Sequence, residues 1–131
     1  MIDPDFLTLD DVLALHADRV ERYGGSLGLR DLGGLQSAIG MPSASYGGDF
    51  LHPTLAEMAA AYLFHLSQAH AFVDGNKRIA LAAALAFLGL NGYDLVADAD
   101  ALYDLCMGVA SGKTSKSEVA VFFARHLKAV S

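Results

Sequence analysis

His70-Ala71-Phe72-Val73-Asp74-Gly75-Asn76-Lys77-Arg78, followed without a break by the apolar run Ile79 to Leu90, is the stretch on which the reading of this chain turns. The run IALAAALAFLGL has the length and the Ala/Leu content of a helix rather than a strand. It is apolar on every side, so it reads as the buried central helix of an all-α bundle, with the other helices packed around it. The residues before it make one turn between two apolar segments, yet they carry an imidazole, a carboxylate, an amide and two cations. A connector needs only turn formers, and Asp74-Gly75-Asn76 would suffice. His70 in front and Lys77-Arg78 behind call for a separate reason.

A helix starting near Asn76 has four backbone N–H groups without partners inside the helix, and its aligned peptide dipoles add roughly half a positive charge there. Acidic side chains are favoured at that end, whereas this sequence places Lys77 and Arg78 there. Dipole, ammonium and guanidinium then address one small volume, which an anion relieves, and phosphate is the natural one. Gly75 lets the backbone turn with positive φ and approach phosphate oxygens. Asp74 offers a hard oxygen to magnesium, which is held by one or two carboxylates together with substrate phosphates. His70 is the candidate general base for a hydroxyl nucleophile. Singly, each residue has a plainer reading: a helix-ending histidine, a turn, a solvated basic face. Only the phosphate site requires all of them together.

The motif HAFVDGNKR resembles the signature of the Fic/Doc (Fido) superfamily, in which Lys77 in place of the usual glycine before the final Arg marks the death-on-curing (Doc) branch. Leu13-Ala14-Leu15-His16, Arg22-Tyr23-Gly24-Gly25, Phe87 to Gly92 and Gly108 to Gly112 look like that branch in order and spacing. The resemblance implies a compact bundle of about six helices with His70 as catalytic base, Asp74 on Mg2+, Gly75, Asn76, Lys77 and Arg78 holding the nucleotide phosphates, and Phe72 as a buried anchor of the loop. It implies ATP as co-substrate, bound reversed so that the γ-phosphoryl group passes to a protein hydroxyl, the described target being a threonine of translation elongation factor Tu. Nucleotidyl transfer by the same loop is the alternative chemistry, and a catalytically silent module that binds an antitoxin is the non-enzymatic one. The Gly-rich segment from Met41 to Pro53 corresponds to a flap that orders the target by main-chain pairing, with Tyr46, Gly47 and Gly48 as its candidate residues.

Self-inhibiting members carry Ser or Thr, three residues, Glu, then Gly or Asn; Thr114 to Glu118 comes nearest, but Val119 follows. Restraint is therefore expected in trans, from a small antitoxin whose C-terminal segment folds as it binds.

The remainder sets bounds. A chain of 131 residues is one domain, able to bury about two thirds of its unfolded surface. Its apolar run is shorter than the roughly 18 residues that span a membrane, and Met1-Ile2-Asp3-Pro4-Asp5 is no secretory leader. Cys106, in phase with Leu102, Leu105 and Val109, reads as a core thiol in a reducing, cytoplasmic protein. A net charge of −6 argues against sequence-independent nucleic-acid binding, and Lys113, Lys116, Arg125 and Lys128 read as a solvated face. His16, His52 and His65 lack the spacing of a helical zinc pair. Caps and breakers predict helices from Thr8 to about Arg22, Asp31 to Ile39, a Thr54/Glu57 capping box to Ala69, Asn76 to Leu90, Asp98 to Ala110, and Ser115 with Glu118 to about Ala129.

Overall fold

Side-chain caps start five of the six helices in the structure, a computed structural model that describes residues 3–130. Helix α1 (Leu9–Tyr23) opens on Thr8, whose hydroxyl accepts from the Asp11 N–H while the Asp11 carboxylate accepts from the Thr8 N–H. Asp31 caps α2 (Leu32–Gly40), Asp98 caps α5 (Ala99–Ala110), and Ser115 with Glu118 forms the expected box on α6 (Lys116–His126). At α3 (Leu55–Ala69) the expected box is half made. Thr54 accepts from the Glu57 N–H, but the Glu57 carboxylate accepts from the Thr54 hydroxyl instead of the Thr54 N–H. Helix α4 (Asn76–Leu90) has no side-chain cap.

The bundle is built around a pair, α3 and α4, where the sequence reading had a single central helix. Buried Ala59, Ala60, Ala80, Ala83 and Ala84 let helix axes approach closely. α3 is the deeper of the two, with nine buried residues against six, because α6 packs on its other side. α4 is not buried all round: α1 covers part of its remaining surface, and Leu85 and Leu90 stay exposed. At the far end of the pair from the 70–78 turn, Phe6 stacks on Phe87 at 5.6 Å and Tyr62 lies 5.1 Å from Phe87. Burial pushes the Tyr62 phenol up to about 12, and its oxygen accepts from the Leu7 N–H at 2.9 Å.

Two small antiparallel pairs add to the helical fold. Ser45–Tyr46 (β1) and Asp49–Phe50 (β2) pair across Gly47-Gly48, both at positive φ, as a two-residue hairpin turn requires. Tyr93–Leu95 (β3) pairs with Leu127–Ala129 (β4), and this shortens the last helix, which ends at His126 instead of near Ala129. Leu127 turns extended (φ −71, ψ 138), the Val96 N–H takes the His126 carbonyl at 2.9 Å, and Tyr93, Leu95 and Leu127 pack against the core at period two.

The C-terminal cations are not one solvated face. Lys113, Arg125 and Lys128 are exposed, but Lys116 is half-buried, donating to His65 Nε2 at 3.1 Å above the Phe64 ring. Cys106 packs against the core, and burial pushes its thiol up to about 11, so the thiolate is scarce at neutral pH. No helix of the described residues is long and apolar enough to cross a membrane.

Candidate active site

Helix α3 stops where His70 takes left-handed backbone (φ 47, ψ 40), and His70 is the only non-glycine residue at positive φ among the described residues. That conformation costs a residue with a Cβ about 1–2 kcal/mol, and glycine would hold it more cheaply. The imidazole is thus carried by a backbone conformation that glycine would hold more readily.

The loop after His70 is held from three directions. A strand-like segment at residues 28–31 runs beside it: the Arg30 and Asp31 N–H groups donate to the Ala71 carbonyl at 2.7 and 3.0 Å, and the Val73 N–H donates to the Gly28 carbonyl at 2.8 Å. A Cβ at residue 28 would stand 2.8 Å from a Val73 methyl, so the close approach needs glycine. The Arg30 guanidinium closes the same seam by donating to the His70 carbonyl at 2.7 Å. From within, the Asn76 carboxamide brackets Phe72, accepting from its N–H at 3.0 Å and donating to its carbonyl at 2.9 Å. From α1, His16 is buried, stacks on the Phe72 ring at 3.7 Å, and reaches the Asp74 carbonyl with Nε2 at 2.8 Å. Phe72 itself is buried in the core.

The start of α4 is left open. Gly75 is its N-cap at φ 79, no acidic residue occupies the first turn, and Lys77 and Arg78 are exposed there. Of the Asp74 carboxylate oxygens, Oδ1 accepts from the Gly75 N–H at 2.8 Å, and Oδ2 lies 2.6 Å from where a Cβ on residue 25 would be. Arg78 donates to the Gly24 carbonyl at 3.4 Å and lies 5.4 Å from the Tyr23 ring centroid, which ties it to the end of α1 with part of its donor fork still free.

His70, Asp74, Gly75, Asn76, Lys77 and Arg78 thus line one cleft of about 490 Å³, walled by Ser67, Val73 and Ala110. Ala110 is brought in from α5, where Gln68 of α3 donates to the neighbouring Val109 carbonyl at 2.8 Å. Because its carboxamide is engaged on Phe72, Asn76 offers the cleft its main-chain N–H more readily than its side chain. Tyr46, Gly47 and Gly48 do not line the cleft. Phe50, at the root of their hairpin, lies 5.8 Å from Phe6 and so at the Phe87 end of the bundle. Phe87 is eleven residues along α4 from its first residue, Asn76, roughly 16 Å of helix. The Glu118 carboxylate is engaged on the Ser115 N–H at the start of α6.

Asp74 is the only carboxylate lining this cleft, and no group of three or more His, Cys, Asp or Glu side chains among the described residues could hold a metal ion by itself. One carboxylate beside an anion site fits magnesium, which shares its bonds between a carboxylate, waters and substrate phosphates, better than a metal that needs a protein cage.

Sequence reading alone did not single out His16, Arg30 or Gly28 as parts of this site. His16 and the Arg22–Gly25 stretch lie in segments that resemble the Doc branch, but nothing local says that they touch a loop some fifty residues away.

The Fic/DOC family model matches residues 6–88, which takes in α1, the 28–31 segment, the 70–78 loop and most of α4. Over 111 residues the chain is 40% identical to "Protein kinase doc" of Escherichia phage P1, covering 85% of this chain and 86% of that protein. Over 96 residues it is 44% identical to "Toxin Doc" of Mycolicibacterium smegmatis, covering 73% of this chain and 72% of that one. With the matched region containing every residue that lines the cleft except Ala110, the chain belongs to the Fic/DOC family.

Proposed function

We propose that this protein is the toxin of a toxin–antitoxin pair, and that it transfers the γ-phosphoryl group of ATP to a hydroxyl of a protein target, with elongation factor Tu as the substrate to test first. The observation that carries the reading is the uncapped, basic start of α4 opening on the cleft that also holds His70. The names of the two relatives, a protein kinase and a toxin, support the reaction class and the biological role.

The chemistry follows from the groups present. The N–H groups of Asn76, Lys77 and Arg78, with the two cations, receive the terminal phosphates and neutralise charge as it develops. His70 takes the proton of the target hydroxyl; the hydroxyl oxygen bonds to the γ-phosphorus, the bridging P–O bond to the β-phosphate breaks, and ADP leaves with that electron pair. Magnesium, when bound with ATP, would be held by Asp74 and would offset phosphate charge. Lys77 lines the cleft where a glycine would leave more room, and on this reading its side chain favours presenting the γ-phosphate over the α-phosphate. Restraint would come from a small antitoxin whose C-terminal segment orders as it binds.

Parallel incubations with γ-labelled and α-labelled ATP, Mg2+ and elongation factor Tu test the proposal. Label should pass to the target from the γ position alone. Label from the α position would replace phosphoryl with nucleotidyl transfer, and no labelling together with no growth arrest on expression, unchanged by His70→Ala, would leave only a binding module.

A further inference from the structure

The peptide unit between Asp74 and Gly75 can stand in two orientations, and they differ in what they show the anion site. In a trans peptide the carbonyl and the N–H point to opposite sides. Here the carbonyl points into the protein, to His16 Nε2 at 2.8 Å, and the N–H points the other way, to the Asp74 carboxylate at 2.8 Å. A flip of this unit reverses both, turning an acceptor towards the side where Lys77 and Arg78 wait for phosphate and depriving the Asp74 carboxylate of its N–H.

Nothing in the backbone itself forbids that flip. It changes ψ of residue 74 and φ of residue 75 together, and residue 75 is a glycine at φ 79, free to take either sign. Two bonds hold the peptide unit: the Gly75 N–H on the Asp74 carboxylate, within the loop, and from outside it His16, which reaches the carbonyl. Because a carbonyl can only accept, Nε2 is the protonated nitrogen of the ring. The ring itself is fixed: it is buried and stacked on Phe72 at 3.7 Å with 13° between planes, and a Cβ on residue 75 would meet Nε2 at 3.4 Å. The Nε2 donor is thus anchored by α1 and by the loop's own buried phenylalanine.

We infer that His16 is a positioning residue of the cleft: through its Nε2–H bond it sets the orientation of the Asp74–Gly75 peptide, and with it the aim of the Asp74 carboxylate and the sign of the surface offered to phosphate. It touches neither nucleotide nor target. The inference rests on the phosphate-site reading for its consequence in binding, but not for the orientation itself.

Two full-length variants separate the donor from the ring. His16→Phe keeps the stack and drops the donor, whereas His16→Gln loses the stack and keeps an amide donor where Nε2 stood. Crystal structures of both should show the 74–75 peptide flipped in His16→Phe and retained in His16→Gln. Titration with inorganic phosphate and with Mg·ATP should show affinity falling roughly 10- to 100-fold in the first variant, a loss typical when the partner of a first-contact carboxylate is removed, and restored in the second. A purely structural role would lower the melting temperature in both without this split.

An unflipped peptide with wild-type phosphate affinity in His16→Phe overturns the inference. If His16→Phe does not fold, His16→Leu, which also lacks the donor, decides in its place: a flipped peptide supports the donor role and a retained one refutes it. Wild-type protein that binds neither phosphate nor Mg·ATP would refute the proposed function, and the peptide orientation in the two variants would still decide the role of His16.

Discussion

The helix starts at Ser115 and at Gly75 follow opposite rules. At α6 the Ser115 hydroxyl accepts from the Glu118 N–H, the Glu118 carboxylate accepts from the Ser115 N–H, and the acidic residue faces the positive end of the helix dipole. At α4 there is no side-chain cap, no acid, and two cations sit where the dipole is already positive. The first arrangement satisfies the helix from within; the second leaves donors and charge for something outside the chain. The contrast separates residues spent on stability from residues held for binding. It also explains how a chain of net charge −6 can present a cationic cleft.

The largest effect is expected at His70. Replacing it with alanine should lower phosphoryl transfer at least about 100-fold, the scale of general-base catalysis. His70→Gly should be as inactive yet more stable by about 1 kcal/mol, because the left-handed backbone would no longer carry a Cβ. Chemical denaturation and the labelling assay run on the same sample check both, and a glycine variant that still labels its target would remove His70 from the mechanism.

The next test converts the α4 start towards the α6 pattern. Lys77→Glu puts an acid in the first turn and should stabilise the protein by about 0.3–1 kcal/mol while weakening Mg·ATP at least about tenfold. Stability and binding moving in the same direction would break the contrast. Ser115→Ala makes the reverse comparison: it should cost about 1 kcal/mol in a urea melt and leave nucleotide affinity as in the wild type.

The smallest effect concerns pH. Burial first, then the Lys116 ammonium and His52, push the His65 imidazole from 6.5 down to about 4. Between those values the unfolded chain takes up a proton that the folded protein refuses. This contribution to stability is therefore full above about 6.5 and is lost as pH falls towards 4. His65 is only partly buried, so solvent screening discounts the loss to about 1 kcal/mol. Melts of His65→Phe across this window should show a correspondingly shallower decline, and an unchanged slope would assign the acid sensitivity to other groups.

What was legible in the sequence follows its range of interaction. Caps such as Thr8, Asp31 and Ser115 act within three residues and read directly as helix starts. The turn residues from His70 to Arg78 are contiguous, so their sharing one cleft needed no tertiary knowledge. The strands were not legible, because two- and three-residue pairs carry too little periodicity, and β4 forms only because β3 lies within reach. The same limit hid α3's depth, which depends on α6 covering it, and Lys116, drawn from the surface by His65. That the Asn76 side chain closes on Phe72 four residues back, leaving its main-chain N–H for the anion site, was not legible either. His16 acts on a residue 58 positions away, and no local pattern encodes that contact.

The most direct measurement is a crystal structure of the protein with magnesium and a non-hydrolysable ATP analogue. The account predicts phosphate oxygens within hydrogen-bonding distance of the N–H groups of Asn76, Lys77 and Arg78, with the terminal phosphate towards His70. A nucleotide bound elsewhere, or an empty α4 start at saturating analogue, would contradict it.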